Sequence, residues 1–236
     1  MNILQNTQHI SRYQKVIGHF HKMWSMLKVR NFTIEPVPKK AVQGFIEKHH
    51  YSNYAGGIQH RQCFALYSDN DGLFGLPRMI GAAIYGQPAM PATAQKYNPD
   101  NPDRCWELRR LCCIDDTPTN TESFFIGKTL RWLKQNTDVE VIISYSDLHQ
   151  GHEGTIYKAT NFINLGQTSP TKVLMVDGKE YHARSLNNIH RPYGRELKRR
   201  WDNKDENIFY VNRKPKNIYV YYFNKKLKKK MLNQYL

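Results

Sequence analysis

CWELRRLCCIDDTPTNTESFFIGKTLRWLKQNTDVEVIISYSDLHQGHEGTIYKATNFINLG, residues 105–166, passes between strand-like and helix-like periods, and those passages decide the fold. CWELRRLCCID reads as a strand, DTPTNTE as a polar loop, SFFIGKTLRWLKQN as a helix and VEVIISYSD as a buried strand. LHQGHEG then forms a loop rich in His and Gly, and TIYKATNF a second helix. A β-α-β-α order with short connections predicts two parallel neighbouring strands with crossover helices packed on the sheet. Ligands of such sheets sit beyond the carboxyl ends of the strands, here Asp115 to Ser123 and Ser146 to Gly154.

Upstream, FTIEPV is a short strand, and Pro38 opens a helix, KKAVQGFIEKHH, with Val42, Phe45 and Ile46 as its buried stripe. CFALYS and RMIGAAIYG are strands joined by SDNDGLFGLP, too short a connection for a parallel crossover, so they pair antiparallel. Gln87 to Asp103, with four prolines, reads as a long surface excursion. Residues 1–30 carry Ile10, Tyr13, Val16, Ile17, Phe20 and Trp24 near helical spacing, which predicts a leading amphipathic helix with His9, His19 and His21 exposed. Downstream, TKVLMVDG and NIYVYYF are strand candidates, and KKLKKK reads as a frayed helix or tail.

The 236 residues are 40% hydrophobic, enough for one core of ordinary size. No apolar run reaches the length needed to cross a membrane, and no secretory signal is visible, so an intracellular protein without a membrane partner is expected. Cys63, Cys105, Cys112 and Cys113 include no CxxC pair, which argues for reduced thiols rather than a zinc site or a disulfide framework.

The net charge is +15, and from Arg184 onward 15 Lys and Arg stand against 4 Asp and Glu. Tyr193, Trp201, Phe209, Tyr210 and Tyr219 to Phe223 are interleaved with them. Basic residues mixed with aromatics neutralise phosphates and stack on bases, against the plainer reading of a solvated basic face. Candidate phosphate contacts are Arg195, Lys198, Arg199, Arg200, Lys214 and Lys216.

Strict alternation in CWELRRLCC places Glu107, Arg109 and Leu111 on one face, with Trp106, Leu108, Arg110 and Cys112 on the other. Adjacent arginines cannot both be buried unpaired, so one meets an anion, either a ligand or a carboxylate such as Glu107. The following helix offers its N-terminus to phosphate, with Ser123 either a ligand contact or an N-cap. Asp147 ends the buried strand. In the next helix Ile156, Ala159, Thr160 and Ile163 form the expected packed stripe, leaving Tyr157 and Asn161 on the other face. His149, His152 and Glu153 resemble a metal spacing in a glycine-punctuated loop.

WELRRLCC, the strand ending SYSD and above all HEGTIYKATNFINLG closely resemble the phage Mom family of DNA adenine modification proteins, itself similar to acyl-CoA N-acyltransferases of the GNAT fold. The resemblance runs from about Glu35 to Gly166, and GTIYKATNF is its most specific part. It implies an α/β (α+β) fold with a GNAT-like central mixed β-sheet flanked by helices and a basic, aromatic-rich C-terminal extension. The domain plan it suggests is a helical segment over 1–30, a catalytic core over 31–183, and a basic segment over 184–236 that completes the sheet and contacts DNA.

The resemblance further implies roles for particular residues. His50, Tyr51, Asp147 and Tyr157 match active-site positions, and His50, Asp147 and Tyr157 suit iron as nitrogen and oxygen donors. Arg109, with Arg110, Leu111, Cys113, Thr121, Ser123, Gly127 and Asn161, is placed at the site of acetyl-CoA or another acyl-CoA. The family product is N6-carbamoylmethyladenine in double-stranded DNA, made in the cytoplasm of a phage-infected host and protective against restriction endonucleases. One departure stands out: the glycine-rich phosphate loop of ordinary acyl-CoA transferases is replaced by DTPTNTES, with no glycine before Gly127. The alternatives are an ordinary N-acetyltransferase acting on RNA or protein, and a non-catalytic DNA-binding protein on an acyltransferase scaffold.

Overall fold

The computed structural model describes residues 32–69 and 76–234. The expected leading helix over 1–30, with its three histidines, and most of the turn after Ser68 lie outside the described residues. In chain order the elements are β1 (Thr33–Val37), α1 (Lys39–His49), β2 (His60–Ser68), β3 (Arg78–Gly86), α2 (Pro91–Tyr97), β4 (Cys105–Cys113), α3 (Thr121–Asn136) and β5 (Val141–Asp147). There follow α4 (Thr155–Ala159), β6 (Ile163–Gln167), β7 (Thr171–Val176), β8 (Lys179–His182), α5 (Pro192–Asp202), β9 (Ile208–Arg213), β10 (Lys216–Tyr222) and α6 (Lys225–Leu232).

The main sheet has seven strands in the order β1-β2-β3-β4-β5-β10-β6, and a second sheet runs β8-β7-β9. β1 to β4 pair antiparallel with their neighbours, and β4 pairs parallel with β5, as the central stretch predicts. The chain groups into two compact units, each discontinuous in sequence: Met1–Ser144 with Ile156–Ile163 and Val220–Leu236, and Tyr145–Thr155 with Asn164–Tyr219. No helix among the described residues is long and apolar enough to cross a membrane.

In the first unit, Cys63 to Leu66 of β2 and Ile80 to Gly86 of β3 are buried without alternation, so these strands are covered on both faces. Val42 and Ile46 of α1 pack with Cys63, Ala65, Ala82 and Ile84 on one side. Phe64 meets Tyr85 and Trp132 edge-on, and the Tyr85 hydroxyl and Thr129 Oγ1 share a buried 2.7 Å hydrogen bond. In the second unit Leu174, Val176 and Ile208 of the small sheet pack with Leu186 and with Leu197 of α5.

Several sequence expectations change. Pro38 is the N-cap of α1, one residue before the helix. Gln87 to Asp103 is more than a surface excursion: it contains α2, and Ala94, Tyr97 and Asn98 are buried. Polar RPYGRELKRRWD forms a full helix because Pro192 is suited to the first turn and Leu197 supplies an anchor. The Lys-rich end is likewise a defined helix, capped by Asn224, whose side chain accepts from Lys226 N and Leu227 N.

Candidate active site

β4 and β5 pair only from Cys105/Val141 to Glu107/Ile143, although β4 continues to Cys113. Beyond Glu107 the two strands no longer share a ladder. The same stretch of β4 carries an irregularity against β3: Ile84 opposes Arg110 and Tyr85 opposes Leu108, which leaves Arg109 as the extra residue. Strict alternation therefore fails here, because a bulge turns one residue out of register.

Both arginines have protein partners, although the buried Nε of Arg109 has no hydrogen bond among the described residues. Arg109 Nη1 lies 3.3 Å from Glu107 Oε2, which also accepts from Ala89 N at 3.1 Å. Of the two expected anions, the structure supplies the internal carboxylate. Arg110 donates from Nε to Tyr54 O at 3.0 Å and from Nη1 to Arg109 O at 2.7 Å. Burial pushes the Glu107 carboxyl above its ordinary value, and Arg109, Ala89 N–H and Arg110 oppose the shift without reversing it.

α3 begins at Thr121, two residues earlier than expected, after Asn120 in a left-handed conformation (φ 71°) and without a side-chain cap. Ser123 is neither the first helical residue nor a cap; its hydroxyl donates back to Asn120 O at 3.0 Å. Thr121 is fully buried and donates from Oγ1 to Pro118 O at 2.6 Å, and Gly127 faces open space. Leu111 and Cys113 are half-buried on β4. Burial pushes all four free thiols up, Cys63 to about 11 and Cys105 and Cys112 to about 12, so they stay protonated.

His50 closes α1 and is buried, its ring stacked on exposed Tyr51 at 4.3 Å between centroids. Its Nδ1 receives Ser52 N–H at 3.1 Å and lies 2.9 Å from Ser52 Oγ. A backbone N–H can only donate, so in neutral His50 the proton sits on Nε2 and the ring acts as a donor there.

Tyr157 is a correction. α4 lasts five residues, and Asn161 (φ 64°) ends the turn in a left-handed conformation, so a helical stripe cannot be extrapolated to Ile163. Tyr157 is the buried residue of the helix, Ala159 is exposed, and Phe162 stands 5.5 Å from the Tyr157 ring. Asn161 is exposed and not a helical neighbour of Tyr157.

In the second unit Asp147 is the last residue of β5 and only 2% exposed. Its Oδ1 accepts from His149 N at 3.1 Å. Lys216 Nζ stands 3.1 Å from Oδ2 as an ion pair, but at an angle that leaves this oxygen without a hydrogen bond among the described residues. Burial alone would raise the carboxyl; Lys216, His149 N–H and Arg213 outweigh it and hold the group below its ordinary value. Arg213 also pairs with Glu180 at 2.9 Å, and His149 Nε2 lies 3.7 Å from Glu180.

Three β10 residues each hold one residue of the β5 end and its loop: Lys216 holds Asp147, Asn217 Nδ2 donates to Ser146 Oγ at 3.3 Å, and the Tyr219 hydroxyl donates to Glu153 O at 2.8 Å. Gly154 (φ 81°) belongs to this arrangement, because a Cβ there would come within 2.3 Å of the Tyr219 ring. Sequence reading identified Asp147 and missed its support, since Lys216 was grouped with phosphate contacts by charge alone.

Within their own units, His50 and Asp147 already use donor atoms that iron would need. Among the described residues no three His, Cys, Asp or Glu side chains gather in a metal-holding group, which also removes His149, His152 and Glu153 as a cluster. The His50 Nδ1 lone pair is used by Ser52, and an ammonium already stands at Asp147 Oδ2, where a metal cation would be.

Of the candidate phosphate contacts, Lys198 pairs with Asp202, Arg199 with Glu196, and Arg200 forks onto Asp177 and also binds Asp205. Lys216 pairs with Asp147, while Arg195 and Lys214 are exposed.

Over 162 residues, 68% of this chain and 66% of the other protein, the chain is 28% identical to the methylcarbamoylase mom of Escherichia phage Mu, so the match spans just under two thirds of that relative's length. Among solved structures it is similar to a ribosomal-protein-S5-alanine acetyltransferase from Vibrio fischeri, with 7% identity over 84% of this chain and 97% of that one and a TM-score of 0.48. A spermidine/spermine N-acetyltransferase from Vibrio cholerae, in complex with manganese ions, gives 9% identity over 85% and 98% with a TM-score of 0.47. The model of the Mom protein family matches residues 31–235, which takes in both units, and the chain belongs to that family.

Proposed function

We propose that the chain is a transferase that modifies the N6 amine of adenine in double-stranded DNA to N6-carbamoylmethyladenine and holds an acyl-CoA-type donor. The new bond joins N6 to a CH2 carbon that carries an amide, so plain acyl transfer, which would bond N6 to the carbonyl carbon, is not the bond-forming step. It would act in the cytoplasm of a phage-infected host and shield DNA from restriction endonucleases. The observation that carries this reading is the extent of the family match, residues 31–235, which includes both the opened β4 edge and the basic C-terminal segment. The donor is assigned to β4 beyond Glu107 and the uncapped start of α3, where a helix N-terminus favours negative charge.

The chemistry constrains the roles. The adenine amine is a weak nucleophile because its lone pair is delocalised, and in a duplex it is paired, so the base must leave the stack. Exposed Tyr51 offers a stacking face beside His50, whose Nε2–H donates. Asp147, held below its ordinary pKa, is a poor proton acceptor and is assigned to orienting the amine. Tyr157 is assigned to a hydrogen bond from a packed ring, not to a mobile acid.

Mass analysis of nucleosides from DNA of cells expressing the protein tests the proposal. Carbamoylmethylated adenine with the wild type and none with Asp147→Asn is the expected result. An acetyl mark on RNA or protein would instead support an ordinary acetyltransferase, and tight DNA binding without any modified base a non-catalytic binder.

A further inference from the structure

Two helices of the C-terminal region treat their positive charge differently. α5 has three of its four cations matched by local carboxylates, Lys198 with Asp202, Arg199 with Glu196, and Arg200 with Asp177 and Asp205, while Arg195 is exposed. α6 reads KKLKKKML, with five lysines and no acid. Only Lys230 has a carboxylate among the described residues, Asp100. Lys225, Lys226 and Lys229 are exposed, while Met231 is buried and Leu227 half-buried, so the helix is anchored by its apolar residues and presents ammonium groups outward.

This arrangement is unfavourable in the free protein. Lys225 and Lys229 are like charges at i,i+4, and Lys225 and Lys226 stand at the positive end of the helix dipole. The Asn224 cap keeps the helix formed in spite of this repulsion. A polyanion would relieve it. The exposed face has no apolar side chain to enter a bilayer, which separates it from a membrane-binding amphipathic helix. From Lys225 to Lys229 the rise is about 6 Å, a length over which duplex DNA presents about three to four charges.

We infer that α6 is the principal phosphate-contacting surface for double-stranded DNA, through Lys225, Lys226 and Lys229, and that α5 is not. The inference rests on the proposed DNA substrate and names the surface that holds it. Binding to a labelled duplex is to be measured between about 50 and about 200 mM salt. The wild type is compared with Lys225→Gln/Lys226→Gln/Lys229→Gln and with Lys198→Gln/Arg199→Gln. The α6 variant should lose more than tenfold in affinity at the lowest salt, and its slope of log K against log salt should shallow by about 2 to 3. The α5 variant should change the slope by less than about 1. Thermal melting of the α6 variant should be unchanged or higher, because repulsion has been removed; a lower melting temperature would make these lysines structural and overturn the inference. An unchanged slope in the α6 variant, or an equal loss in the α5 variant, overturns it while leaving the DNA substrate standing. No salt-dependent DNA binding by the wild type would overturn both.

Discussion

Glu107 on β4 and Asp147 at the end of β5 are both carboxylates drawn in from water, each facing one cation, and they respond in opposite directions. The Glu107 side chain is 12% exposed and Asp147 only 2%, yet it is Glu107 whose carboxyl is raised and Asp147 whose carboxyl is lowered. Exposure therefore does not rank them. Glu107 lies deep among protein atoms, and Arg109, Ala89 N–H and Arg110 together do not offset that desolvation. Asp147 is covered but shallow: its lid is Lys216, itself 39% exposed, with His149 N–H below and Arg213 adding a second positive charge. Each carboxylate is reached by two cations and one backbone N–H, so what decides the direction is the depth of protein around it.

The harshest test removes the cation from the deep pair. Arg109→Ala should lower unfolding stability by about 3 kcal/mol or more, because it strands a carboxylate that water cannot easily reach. A loss below about 1 kcal/mol in urea unfolding would mean that the pair is no deeper than a surface bridge. Next comes Lys216→Gln, for which about 1 to 2 kcal/mol is expected, since water can replace a half-exposed ammonium. In that variant the Asp147 carboxyl should titrate at higher pH, and an unmoved resonance in an NMR titration would show that Lys216 does not hold it.

The smallest effect is the pH dependence, and its signs are opposite. Asp147, depressed below 3.8, contributes stability that is present above that value and is lost as pH falls through its folded pKa. Glu107, raised above 4.5, contributes stability that is present below that value and is lost as pH rises through its folded pKa. Stability curves across acid pH should therefore be less steeply rising than wild type in Asp147→Asn and more steeply rising in Glu107→Gln. Curves displaced in the same direction by both variants would dissolve the contrast.

The order of elements from β4 to α4 was legible because each run carried its own period and its own turn residues. The parallel β4–β5 pair followed from the β-α-β-α order with short connections. The bulge at Arg109 was not legible, because it is a mismatch between β4 and its partner β3 and has no mark in β4 alone. Tyr157 was placed on the wrong face for a different reason. A period of 3.6 was carried past a helix that Asn161 stops after little more than one turn. β9 escaped notice within a polar, basic region, and it pairs with β7 across α5. Asp147 could be found as a carboxylate at a strand end. Lys216, Asn217 and Tyr219 could not be joined to its surroundings, because side-chain partners on strands brought together by tertiary pairing leave no local pattern.

The place of β10 between β5 and β6 has a consequence for how the chain is made. A ribosome delivers β5 and β6 first and their shared neighbour only after the whole small sheet and α5 have been synthesised. At about 5–20 residues per second, the edge of β5 waits several seconds with its N–H and C=O groups unpaired. An open edge of that kind is an invitation to other nascent chains. The loop from Leu148 to Gly154 waits as well, for the hydroxyl that holds Glu153 arrives with Tyr219. A messenger cut just ahead of Lys216 would thus yield most of the polypeptide, with a sticky sheet and an unshaped loop.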